Sequence, residues 1–158
     1  MSDARFEDGD EQPLRLIAQD AEGLGVIAAL LQDAVFPITE MSLVRQKRRF
    51  ALMLNRFRWE YLEAAEKAGR QFERVQSLLV FEDVLAVQTQ GIDRGDKDMV
   101  LSLLDVTFAP GADGTGVVTL VLAGDGAIAL QVEALDASLR DVTRPYLAPS
   151  GKVPDHGL

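Results

Sequence analysis

Residues 117–133 read VVTLVLAGDGAIALQVE, two apolar runs flanking Asp125-Gly126. Aspartate-glycine suits the centre of a two-residue type I′ turn, because both central positions need positive φ. The stretch is therefore predicted to be an antiparallel hairpin. Val121 faces Leu130, Ala123 faces Ile128 and Thr119 faces Val132 on one side, with Leu120 beside Gln131 and Val118 beside Glu133 on the other. Upstream, Met99 to Phe108 reads as a long strand whose apolar parity switches between Leu103 and Leu104, which predicts a bulge and turns Asp105 and Thr107 away from the core. Gly111, Gly114 and Gly116 (PGADGTGVV) precede a strand rather than a helix, so they form a hairpin loop and not a phosphate cradle. Downstream, Leu135, Leu139 and Val142 recur at helical spacing and predict a short closing helix that stops before Pro145.

The same periodicities extend to the amino-terminal side. A short strand from Leu14 to Ala18 leads to Asp20, a helix N-cap residue with Glu22 in the first turn behind it. Leu24, Ile27, Ala28 and Leu31 then form one apolar stripe, in a helix weakened by Gly23 and Gly25. From Val35 the period becomes two. A turn at Gln46 and Lys47 pairs Leu43 with Phe50 and Met41 with Leu52. The alternation Phe50, Leu52, Leu54 shifts to Phe57 and Trp59, predicting a bulge or strand end near Asn55 and Arg56. Trp59 to Gln71 suggests a short helical excursion stopped at Gly69, and strands return from Val75 to Phe81 and from Leu85 to Thr89, joined at Glu82 and Asp83.

Roughly eight short strands with brief connections predict an antiparallel α+β domain. The arrangement expected is a strongly bent sheet or small open barrel, like the pleckstrin-homology roll, with one early helix and a C-terminal capping helix. Residues 1–12 are acidic and polar and are expected to be disordered, 13–145 to form a single domain, and 146–158, rich in proline and glycine, to be a flexible tail.

Composition removes several chemistries. With no cysteine among 158 residues there are no disulfides, thiolate metal sites or cysteine nucleophiles. The lone histidine, His156, lies in the tail, so a catalytic triad or histidine metal site is not expected. The loop Asp93-Arg94-Gly95-Asp96-Lys97-Asp98 lacks the calcium-loop spacing and terminal glutamate, and Arg94 and Lys97 offset its charge. No catalytic residue, metal or cofactor is assigned. The acidic, unpatterned start shows no secretory or transit pattern and the apolar runs are too short to cross a bilayer, so a cytoplasmic protein without membrane insertion is expected.

The feature that asks for a partner is a basic island. Arg45, Lys47, Arg48, Arg49, Arg56 and Arg58 carry +6 within 14 residues that hold no acid, on a chain of net charge −9, so the remainder sums to −15. That balance disfavours general nucleic-acid binding, while a local cationic cluster focuses anions. Arg45, Lys47, Arg48 and Arg49 gather at the predicted hairpin tip and are the candidate site for an anion or partner carboxylate. Arg56 and Arg58 lie farther along the strand, over ~20 Å away at ~3.3 Å per residue. The plainer account of the tip is ion pairing with surrounding acids, each exposed pair contributing about 0 to 1 kcal/mol. Trp59 is the candidate interface aromatic, although a core or rim position at the strand-to-helix junction is the better account of it.

The blocks LRLIAQDAEGLGVIAALLQDAV, RRFALMLNRFRWE, LAVQTQGID, VLSLLDVTF and GAIALQVEALDASLRDV, in this order, resemble a family of small bacterial proteins catalogued only as a domain of unknown function. The resemblance covers nearly all of the chain between its two polar ends. It implies a compact domain and brings no activity, cofactor or catalytic residue. The leading functional expectation is a non-enzymatic module that binds a protein partner or itself. The alternative is a binder of a small anionic ligand, or a carboxylate/arginine enzyme, near the 45–49 tip.

Overall fold

The computed structural model describes residues 13–61, 73–143 and 146–147. The expected amino-terminal disorder, most of the 59–71 excursion, His156 and the tail beyond residue 147 lie outside them. Strand β1 (Arg15–Ala18) leads into helix α1 (Ala21–Leu30). Asp20 caps it as expected, its Oδ1 accepting from the Gly23 amide at 2.7 Å, which satisfies one of the amides a helix start leaves without a partner. Leu24, Ile27, Ala28 and Leu31 are all buried, as the stripe required.

After β2 (Val35–Pro37), the chain makes a 3-10 turn and enters β3 (Met41–Val44) and β4 (Arg49–Phe57). Their hairpin has the predicted register, Met41 opposite Leu52 and Leu43 opposite Phe50. A 3-10 turn at Arg45–Lys47, closed by Arg48 in the left-handed region at φ 53°, forms its tip. Of the bulge or strand end expected near Asn55 and Arg56, the bulge is absent and the strand ends at Phe57. β4 pairs without interruption along β5 (Glu73–Phe81), from Phe50 opposite Phe81 to Phe57 opposite Arg74. The parity therefore continues through 50, 52, 54 and 56, and Arg56 occupies an inward position, fully buried.

The chain turns at Glu82 and Asp83, with Asp83 at φ 57°, but β5 and the following β6 (Val84–Gln90) do not pair. They belong to opposite halves of the sheet. β7 (Val100–Pro110) carries the predicted bulge, its register with β8 (Gly116–Leu122) shifting between Leu103 and Asp105.

The decisive hairpin, β8 with β9 (Ala127–Val132), forms in a different register: Leu120 faces Ile128, Val118 faces Leu130 and Gly116 faces Val132. The left-handed residues are Gly124 (φ 81°) and Asp125 (φ 67°), one step earlier than expected, and the Leu122 amide donates to the Gly126 carbonyl. The turn is thus three residues long. The difference in register is an odd number of residues, so the faces exchange. Val118, Leu120 and Leu122 now share the core with Ile128, Leu130 and Val132, and no apolar side chain is left beside Gln131 or Glu133 on an inward face.

The closing helix is replaced by a strand, β10 (Ala137–Asp141). Its inward residues Ala137 and Leu139 alternate with Ser138 and Arg140, a period of two within a segment too short to hold a helix of its own. β10 pairs with β5 on one side and β1 on the other. Tyr146–Leu147, expected to belong to the tail, form β11 against β5.

All pairings are antiparallel, in the order β1-β10-β5-β4-β2-β7-β8-β9-β6, with β3 beside β4 and β11 beside β5. The sheet is open, with β1 and β6 at its ends. With α1 this is an α+β fold, without the C-terminal capping helix on which the likeness to a roll rested. Residues of β4, β5 and β10 share one buried cluster with residues of β7, β8 and β9. Strands from both halves of one sheet can share a single core only if the sheet bends over it. No helix among the described residues is long and apolar enough to cross a membrane.

Candidate functional site

The basic island separates into three kinds of residue. At the hairpin tip, Arg48 Nη2 meets Glu133 Oε1 at 2.6 Å, and Arg49 Nε donates to both Glu82 oxygens at 3.1 and 3.0 Å. Two of the four tip cations are thus answered by acids at the adjoining strand ends. Arg45 and Lys47 make no ion pair among the described residues.

Arg56 and Arg58 are buried and structural. Arg56 Nη1 and Nη2 donate to the two Glu60 oxygens at 2.8 and 2.7 Å, and Nη1 also reaches the Phe57 carbonyl. On the other side Nε and Nη2 reach Asp141 at 3.0–3.2 Å, while Nε donates to Ser77 Oγ at 3.1 Å. Ser77 in turn donates to Asp141 at 2.7 Å, and Asp141 Oδ2 accepts from the Leu14 amide. One guanidinium thus ties β4, β5 and β10 to the residue before β1. Burial pulls its pKa down, but the hydrogen bonds and charges of Glu60 and Asp141 outweigh that and hold it above the ordinary arginine value. Arg58 pairs with Glu73 at 2.6 Å. The sequence carried one sign of this: Arg56 lies in phase with Phe50, Leu52 and Leu54.

Trp59 is half-buried, its Nε1 donating to the Gln32 carbonyl at 3.0 Å and its ring tilted against Phe57 at 5.6 Å. Arg74 covers the Phe57 ring at 4.2 Å. The indole therefore joins the end of β4 to the segment after α1, as a rim aromatic does.

A cleft of about 430 Å³ opens beside the tip, between β3, β6 and the loop 91–99. Phe50, Val87 and Ile128 are among its apolar lining residues, with Ile38, Met41 and Leu43. Thr39, Ser42 and Thr89 supply hydroxyls, and Arg45, Arg94 and Lys97 supply charge. No acid lines it. Leu43 and Arg45 are shared with a smaller recess of about 230 Å³ that also includes Arg48.

The loop explains how an acidic sequence yields a cationic wall. Asp93 Oδ1 accepts from the Gly95 amide at 3.0 Å and Asp96 Oδ1 from the Asp98 amide at 3.1 Å. Both carboxylates fold back on their own turns, as short polar side chains do in loops, while Arg94 and Lys97 line the cleft. No acidic or histidine cluster able to hold a metal occurs among the described residues. Sequence reasoning finds Arg45 but takes Arg94 and Lys97 as mere offsets to the aspartates. The signal available is the spacing of Asp93 and Asp96, each two residues before an amide it captures.

Fold and cleft together define an antiparallel α+β domain, open-sheeted, with one α-helix among the described residues and a cation-lined cleft beside its first hairpin. The chain belongs to the family of proteins of unknown function designated DUF2948, which matches residues 14–156. No curated protein and no solved structure gives a significant match.

Proposed function

We propose that this protein binds a small anionic ligand in the cleft between β3, β6 and the 91–99 loop. The observation that carries the reading is the meeting of Arg45, Arg94 and Lys97 in one cleft with no acidic lining residue among the described residues, on a chain of net charge −9. A concave site of one sign on a repulsive surface concentrates the opposite ion there. Among the described residues the cleft has no carboxylate or histidine to serve as general acid or base, which favours binding over carboxylate catalysis.

Thermal-shift measurement against a panel of anions at low and high salt tests this. A ligand at a hundredfold excess over its Kd raises stability by about 2.7 kcal/mol. The expected result is a salt-sensitive rise in Tm that disappears in the doubly substituted Arg45→Glu, Arg94→Glu protein. No shift with any anion, or a shift that the double variant keeps, overturns the reading. Arg48→Glu and Arg49→Glu would be poor probes, since each breaks an ion pair with Glu133 or Glu82.

A second reading, a protein-interaction module that includes self-association, is favoured by the open end of the sheet. Among the described residues β1 pairs on one side only, and Ile17 on it is 74 % exposed, near Val26 of α1 in the same shallow groove. Unpaired strand edges with apolar side chains recruit further strands. Light scattering is expected to show a dimer that Ile17→Lys converts to monomer, and a monomeric unsubstituted protein would exclude self-pairing.

A further inference from the structure

Resting on the anion-binding reading above, we infer that the cleft selects phosphate monoesters of small polyhydroxy compounds over carboxylates and over free phosphate. Three cations without an intervening acid favour a ligand group carrying more than one negative charge. A phosphate monoester carries about −1.5 to −2 at neutral pH, and a monocarboxylate carries one. Two of the three cations are arginines, whose planar donor fork pairs with carboxylate and phosphate oxygens alike, so charge and the groups around the cations make the selection.

Charge alone does not require an ester. Arginine and lysine only donate, so a site built from them alone has nothing to accept a ligand hydroxyl. Thr39, Ser42 and Thr89 supply groups that both donate and accept. Met41, Leu43 and Val87, each only partly buried, offer an apolar surface to the C–H face of a sugar-like ring. The volume, about 430 Å³, is within the usual range of roughly 300–1,000 Å³ for small-molecule sites and exceeds what a bare phosphate fills. Cation, hydroxyl and apolar surface in one cleft together match a phosphorylated polyol or sugar.

Isothermal titration with ribose 5-phosphate, ribose, inorganic phosphate and succinate separates the possibilities. The expected order places ribose 5-phosphate at least about tenfold tighter than inorganic phosphate or succinate, with ribose showing no measurable binding. Thr89→Val and Ser42→Ala, which remove lining hydroxyls and keep all three cations, are expected to weaken the ester and leave inorganic phosphate unchanged. Arg45→Glu with Arg94→Glu is expected to abolish binding of every anion, with circular dichroism confirming an intact fold. Succinate binding as tightly as the ester, or hydroxyl removal weakening ester and inorganic phosphate alike, overturns the ester assignment and leaves the anion reading standing. No binding of any of the three anions defeats both.

Discussion

At the scale of single residues, Arg56 shows how a charge can occupy a core position. Its side chain is 0 % exposed, yet every nitrogen has an acceptor, and its two carboxylate partners, Asp141 and Glu60, are themselves 5 % and 20 % exposed. Removing one member of such a buried cluster leaves the others desolvated and uncompensated, at a cost of about 3–5 kcal/mol. Arg56→Leu is therefore expected to lower unfolding free energy by about that amount in urea titration. Arg56→Lys should recover little, because a point charge cannot bridge Glu60 and Asp141 through paired donors. A loss below about 1 kcal/mol in Arg56→Leu would mean that the surrounding groups are better solvated than the geometry indicates. The pH dependence has a definite sign. A cation whose folded pKa is raised contributes its stability below the unfolded value and loses it only as pH rises through the folded one. For Arg56 that window is strongly alkaline, so its own titration adds no slope to stability near neutrality.

At the scale of elements, local pattern is decisive where one signal acts alone and misleads where two compete. Helix α1 is legible from Asp20 and its stripe, and the β3–β4 register from the facing pairs Met41 with Leu52 and Leu43 with Phe50. In the β8–β9 hairpin the turn dipeptide Asp125-Gly126 argues for one register and the alternation of Val118, Leu120, Leu122 with Ile128, Leu130, Val132 for another. Burial of six branched side chains outweighs the preference of one turn, so the alternation prevails. β10 is misread from sequence because Leu135 and Leu139 fit a helical spacing, while the reason for its strand is the pairing available on β5, which is not local information. Two glycines give opposite predictions. Gly25 lies inside α1 with nothing within 4 Å of where a Cβ would be, so Gly25→Ala is expected to raise stability by about 0.5–1 kcal/mol. A Cβ on Gly116 would stand 2.5 Å from the Phe108 ring and 2.7 Å from the Ala109 carbonyl, so Gly116→Ala should cost about 1–3 kcal/mol. Thermal denaturation of the two variants should therefore move Tm in opposite directions.

At the scale of the whole molecule, the cleft exists because distant segments converge: β3, β6, β9 and the 91–99 loop meet only once the sheet has bent. Sequence could name Arg45 but not its neighbours, since nothing in the chain's order brings residue 45 beside residues 94 and 97. The bend depends on a narrow seam. β2 joins the halves by pairing with β4 at one position, Val35 opposite Asn55, and with β7 at three, Val35 to Pro37 opposite Ser102 to Val100. Backbone pairing this sparse would let the halves unfold separately, whereas the buried cluster, which takes residues from both and from α1, opposes that. The shared core outweighs the seam, because each fully buried large apolar side chain contributes about 1.5–3 kcal/mol and the seam adds only a few hydrogen bonds at about 1 kcal/mol each. Unfolding is therefore expected to be a single transition, with the fluorescence of Trp59, the sole tryptophan, coinciding with far-ultraviolet circular dichroism in urea. Phe36, fully buried in the middle of β2, tests the joint itself. Phe36→Ala should lower stability by about 3–5 kcal/mol and shift both probes together. A Trp59 transition that stays in place while the circular dichroism splits would show that the seam, and not the shared core, governs how the two halves hold together.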